Sequence, residues 1–132
     1  MESSAELVHQ IRSMLRDAAD LLTAQADVGQ FCVISTASIY ADAEGRSLES
    51  SGATGFPRFP RMIVESQATV AAGEGYSAGK VAMEQAFASA NATILRAGAI
   101  YGIGARHPRE WWLVKRLLDG RREIPLIDAG KN

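Results

Sequence analysis

Apolar residues recur at helical intervals near the start of the chain, at Leu7, Val8, Ile11, Met14, Leu15, Ala18 and Leu22, behind a Ser3-Ser4-Ala5-Glu6 stretch with capping-box spacing. They predict an amphipathic helix over about 5–25. After Val28-Gly29 the pattern changes to the continuous run Phe31-Cys32-Val33-Ile34, as expected of a parallel strand covered on both faces. From Ala41 to Gly73 the chain is rich in Gly, Ser, Pro and charge, with Phe56-Pro57-Arg58-Phe59-Pro60 as the clearest breaker. A loop of this length inside a domain is usually functional, and Met62-Ile63-Val64 is the one candidate strand within it. Tyr76 to Ala90 lacks proline and sets Val81, Ala82, Gln85 and Ala86 among small neighbours, which predicts a helix with a tight packing face. Ala92-Thr93-Ile94-Leu95-Arg96 reads as a second short strand. Strand, crossover with a helix, and strand make a βαβ unit, expected to be right-handed with parallel strands. Gly98, Gly102 and Gly104 then mark turns. Pro108 to Leu118 predicts a further amphipathic helix stopped by Gly120, with at least one of Trp111 and Trp112 in the core.

Composition narrows the class without changing this outline. The chain has 132 residues, 47% hydrophobic and 22% charged, which fits one ordinary domain of mixed structure and excludes disordered or collagen-like readings. No apolar run approaches the roughly 20 residues of a membrane helix, and the start MESSAEL is acidic where a signal peptide is basic, so a cytoplasmic location is expected. Cys32 is the only cysteine, which leaves no disulfide framework and no CxxC metal cluster, and its apolar surroundings predict a buried core thiol. His9 and His107 lack second ligands at useful spacing, so no metal site is expected. The net charge of -1 gives no electrostatic case for nucleic acid or an anionic membrane. Residues 106–132 nevertheless hold 7 basic and 4 acidic side chains, a candidate anion-facing stretch or a solvated helix face.

Three short segments carry candidate chemistry. Tyr76 and Lys80 lie four apart on a predicted helix and so share one face, roughly 6 Å from each other. A phenol beside an ammonium suits general acid/base work on an alcohol or carbonyl. Ser35-Thr36-Ala37-Ser38-Ile39-Tyr40 follows the carboxyl end of the first predicted strand, where open α/β sheets bind ligands. Its hydroxyls can hold a substrate oxygen or simply cap the strand end. Leu95-Arg96-Ala97-Gly98-Ala99-Ile100-Tyr101-Gly102 is again a strand running into a glycine turn.

In this order the segments resemble the extended short-chain dehydrogenase/reductase family, the NAD-dependent epimerase/dehydratase group, over nearly all 132 residues. The family's strand end reads S-S/T-x-x-V-Y, its catalytic helix Y-x-x-x-K and its next strand L-R-P-G-x-x-Y-G. The resemblance implies that Thr36 is the catalytic Ser/Thr, Tyr76 the acid/base, and Lys80 the lysine that binds the ribose and activates the tyrosine. It also implies that Arg96 and the backbone of Ala97, Gly98, Ala99 and Ile100 line the nicotinamide of NAD or NADP. Ser38, Arg106, His107 and Arg109 would contact the substrate. Ala97 replaces the family's proline. Ala37-Ser38 stands where nucleotide-sugar dehydratases carry Asp-Glu, which disfavours a dehydratase of that kind.

No G-x-x-G-x-x-G turn for pyrophosphate is present, and Gly73-Glu74-Gly75-Tyr76-Ser77-Ala78 matches G-x-G-x-x-A without a preceding strand or a following ribose-binding acid. The expected fold class is therefore α/β, a partial Rossmann-like, NAD(P)-binding three-layer fold with a small parallel sheet, truncated at both ends. Residues 1–132 form one partial domain: helix, strand and Ser/Thr turn to 40, long loop over 41–73, catalytic helix and strand over 74–97, substrate-side segment over 98–132. The first strand is expected to keep an open edge, and dinucleotide affinity to be millimolar or absent. The expected function is an NAD(P)-dependent oxidoreductase or epimerase acting on a sugar-like or other small substrate. The alternative is an inactive fragment or interaction module. No nucleic-acid or membrane partner is expected, and a homodimer is left open.

Overall fold

A computed structural model of the chain describes residues 4–100, 102–104 and 110–125. The chain divides into two units, Met1–Gly98 and Ala99–Asn132.

In the first unit the helical pattern gives α1, Ser4–Thr23. A single 3-10 turn, Gln25–Asp27, leads into β1, Phe31–Thr36. The crossover carries a one-turn helix, α2 (Ser51–Thr54), and then α3, Tyr76–Ala86, before the chain enters β2, Ala92–Ala97. β1 and β2 run parallel in register from Phe31 opposite Ala92 to Thr36 opposite Ala97. Local sequence explains the choice of elements: β-branched and aromatic residues dominate β1, Thr93 and Ile94 stand within β2, and the small residues Ala78, Gly79 and Ala82 let α3 lie close to its neighbours.

The core sits on one face of this pair. Phe31 and Val33 of β1 meet Ala18 of α1 and Met83 and Phe87 of the α3 end, with Met14, Leu15, Leu22, Ala92 and Ile94 packed around them. Phe31 and Phe87 meet edge to face, their ring centroids 5.3 Å apart. Burying each such ring contributes roughly 1.5–3 kcal/mol.

The opposite face corrects two expectations. β1 is not covered on both sides: Phe31, Val33 and Ser35 are buried, while Ile34 is 51% exposed and Leu95 beside it 46%. Cys32 points the same way and is exposed, not a core thiol. Side chains alternate across a strand, so helices packed on one face can bury only every second residue, however apolar the run. Among the described strands β1 pairs with β2 alone.

Residues 62–64 form no strand, and all three side chains are exposed. The crossover instead touches the strand end through one antiparallel bridge between Tyr40 and Thr69. The helix expected to reach Ala90 ends at Ala86, where Phe87 turns inward and tight turns follow.

The second unit contains α4, Trp111–Leu118. Neither tryptophan is buried: Trp111 is 51% exposed and Trp112 43%, the latter lying under the Arg116 guanidinium at 3.8 Å. Among the described residues of this unit α4 is the one helix, and none of them supplies a second apolar layer over it. No helix among the described residues is long and apolar enough to cross a membrane.

Candidate functional site

The first unit gathers its polar chemistry at the carboxyl end of β1. Thr36, the last strand residue, caps the 3-10 turn Ala37–Ile39 by accepting the Ser38 amide at 3.2 Å. Its hydroxyl donates to Ser38 Oγ at 3.1 Å, and Ser38 Oγ in turn lies 3.1 Å from Ser77 Oγ. Ser77 is only 1% exposed and belongs to the first turn of α3. A continuous line of hydroxyls thus joins the strand end to the helix that carries Tyr76 and Lys80.

Tyr76 opens α3 and is 43% exposed, so a solute can reach its ring. Lys80 follows one turn later on the same helix face, and its ammonium donates to the Ile34 carbonyl at 3.1 Å. That bond ties α3 to the end of β1. Thr36, Ser38 and Lys80 are therefore brought together around one strand end, with Ala97 as the β2 partner of Thr36, while Tyr76 is tied to it through its neighbour Ser77.

The start of α3 shows a residue that sequence reasoning missed. Its N-cap is Gly75, which has no side chain to satisfy the first amides. Glu49 does so from the distant crossover: Oε1 accepts the Tyr76 amide at 2.9 Å and Oε2 the Ser77 amide at 2.8 Å. Gly75 has φ +102, which favours glycine, and a Cβ there would come within 2.8 Å of Glu49 Oε1, so a larger residue would push the carboxylate off these amides. Because a carboxylate already occupies these amides, the Gly73-Glu74-Gly75 stretch is closed as a phosphate cradle. Glu49 lies 27 residues before Tyr76, beyond any local spacing rule. Ser77, by contrast, stands inside the Tyr76-to-Lys80 motif and could have been singled out.

The Arg96 side chain is held in an ion pair. Its Nη2 lies 2.8 Å from Glu84 Oε2, Nη1 donates to the Glu65 carbonyl at 3.0 Å, and the guanidinium sits 5.2 Å over the Tyr40 ring. Burial pushes the Glu84 carboxyl up, but the hydrogen bonds and charge of Arg96 outweigh it and hold the group below its usual value. The Arg96 side chain is thereby committed to joining α3, β2 and the crossover.

A second carboxylate orders the crossover itself. Asp42 is buried and accepts the amides of Glu44, Arg46 and Arg58 and the Arg46 guanidinium, all within 3.0 Å. Burial raises its carboxyl, yet the amides of Arg58 and Arg46 and the Arg46 charge hold it well below the ordinary range.

A nicotinamide dinucleotide would need partners for both its ribose end and its pyrophosphate end. Lys80 spends one N–H on Ile34, and among the described residues its other N–H groups have no hydrogen-bond partner. Gly98 has nothing within 4 Å of where a Cβ would stand, which leaves the backbone after β2 open to a flat ring. The pyrophosphate end finds no such match: no glycine-rich turn is present, the α3 amides are taken, and Arg96 is engaged. Ala99 and Ile100 belong to the second unit. Arg106, His107 and Arg109 lie outside the described residues.

An open groove of about 470 Å³ runs between α1 and β1, lined by Met14, Ala18, Phe31, Val33, Met83 and Phe87 among others. It contains none of the hydroxyl, phenol or ammonium groups above. Among the described residues no three His, Cys, Asp or Glu side chains cluster as metal ligands. No family model, curated protein or solved structure matches the chain.

Proposed function

We propose that the chain carries the proton-transfer part of an NAD(P)-dependent oxidoreductase or epimerase site of the extended short-chain dehydrogenase/reductase kind, in a partial Rossmann-like fold. The observation that carries this reading is the hydroxyl line from Thr36 through Ser38 and Ser77 to the α3 turn bearing Tyr76 and Lys80. The substrate class is a sugar-like or other small molecule with a hydroxyl or carbonyl, and the setting is cytoplasmic. The exposed face bearing Cys32, Ile34 and Leu95 suits the third layer of such a fold.

In this reading Tyr76 gives its phenolic proton to a substrate carbonyl oxygen, or accepts one from a hydroxyl in the reverse direction. Thr36 turns its hydroxyl from Ser38 toward the same oxygen and holds it in line. Ser38 and Ser77 keep Thr36 at a fixed distance from α3. Lys80 sets a positive charge on the helix face that bears the phenol. NAD(P), when bound, supplies the hydride exchange, with Lys80 and the backbone of Ala97 and Gly98 holding its nicotinamide-ribose end.

Turnover tests the reading. With millimolar NAD(P) and a panel of sugars and simple secondary alcohols, absorbance at 340 nm should report oxidation that falls by about 10²–10⁴ in Tyr76→Phe. Absence of turnover across the panel, or equal turnover in the variant, counts against it.

A further inference from the structure

We infer that Glu49 is a positioning residue for Tyr76, which makes the crossover segment part of the candidate site. This rests on the reading that Tyr76 moves the proton.

The argument begins with an unmet need. Helix N-termini leave amides without partners, and a residue at the N-cap normally supplies the acceptor. Gly75 cannot, and no side chain caps α3 locally. Glu49 brings both oxygens to the two amides that bracket the Tyr76 Cα and its link to Ser77. The first residue of a helix is where fraying is greatest, and here that residue bears the phenol. Two charge-assisted bonds fix its backbone while leaving its ring accessible.

Glu49 is itself held. Ser47 and Ser50 exchange amide-to-hydroxyl bonds at 3.0 and 3.2 Å on either side of it, and Thr54 bonds back to the Ser50 carbonyl at 3.0 Å. Ser47 is 3% exposed. The same Ser77 whose amide meets Glu49 passes its hydroxyl to Ser38 and thence to Thr36. One carboxylate therefore sets both the tyrosine backbone and the far end of the hydroxyl line.

The experiment uses ¹⁵N-labelled full chain without cofactor or substrate. In Glu49→Ala, hydrogen exchange at the Tyr76 and Ser77 amides should accelerate at least about tenfold, with β1 amides unchanged. The χ1 couplings of Tyr76 should move toward rotamer averaging. Glu49→Gln, which keeps one acceptor oxygen, should restore one of the two amides and most of the coupling. Exchange within twofold of the wild type in both variants overturns the contact. Faster exchange with unchanged Tyr76 couplings overturns the positioning role and leaves a helix cap. If Glu49→Ala unfolds the chain, Glu49→Gln alone decides, with at least threefold acceleration at one amide expected and none contradicting. Since no turnover is involved, failure here leaves the role of Tyr76 standing, and turnover independent of Tyr76 leaves the Glu49 contact standing.

Discussion

The α1 side of the β1–β2 pair and the crossover over residues 41–73 reach order by opposite means. On the α1 side Phe31, Val33, Met83 and Phe87 exclude water from one sheet face, with no ion pair among them. In the crossover the fixed points are carboxylates: Asp42 gathers three amides and a guanidinium, and Glu49 takes two amides of α3. Apolar packing is non-directional and places elements, whereas carboxylates with several donors fix single atoms. The candidate site lies where the second kind of order takes over from the first.

The largest effect should come from the apolar side. Phe87→Ala removes the ring that meets Phe31 and should cost about 3–5 kcal/mol in urea unfolding. A loss under about 1 kcal/mol would mean that this small core is not what holds the helices to the sheet.

The Arg96–Glu84 pair comes next, since it joins the two regions. Arg96→Met leaves Glu84, with its side chain 8% exposed, without its partner and should cost about 3 kcal/mol. Adding Glu84→Leu should recover most of that loss, because the stranded charge is then gone. Additive losses in the double variant would show that the pair acts through packing alone.

Acid should act on the carboxylate side first. Asp42 and Glu84 are both held below their ordinary values of 3.8 and 4.5. Their contributions are therefore fully present above those values and are lost as pH falls through the lower folded-state values. Urea midpoints should drop as pH falls below about 4.5, and the drop should be shallower in Asp42→Asn/Glu84→Gln. Equal acid slopes in variant and wild type would remove these two carboxylates from the account.

The distinction between the regions also explains what could be read in advance. Helical spacing in α1, the strand at Phe31, the parallel partner at Ala92 and the placement of Tyr76 and Lys80 on one helix all follow from periodicity or local spacing, and the structure contains them. The exposure of Cys32 and Ile34 did not follow, because an apolar run does not reveal how many layers cover it. Asp42, Glu49 and Glu84 were invisible for another reason: Glu49 meets its partners 27 and 28 residues away, and a carboxylate in a polar loop looks like any solvated charge. The helix and strand end that carry the short motifs were legible, and the carboxylates that hold them in place were not.

The smallest effect should appear on the open face. Ile34→Ser should change stability by no more than about 0.5 kcal/mol, since the side chain is half exposed. Cys32 in the native wild type should react with a thiol reagent as fast as in urea, within about tenfold, given its exposure. Strong protection of Cys32 would show this face to be covered.

The central claim, that the end of β1 and the first turn of α3 form one nicotinamide-facing site, is tested most directly by amide mapping with nicotinamide mononucleotide at millimolar concentration. This probe carries the ribose end that the proposed function assigns to Lys80 and Gly98 and lacks the second half of the dinucleotide. The shifted amides should cluster at Ser35–Tyr40, Tyr76–Lys80 and Ala97–Gly98, and Lys80→Met should abolish the shifts while leaving the fold intact. Shifts gathered instead in the α1–β1 groove, or unchanged by Lys80→Met, would contradict the account.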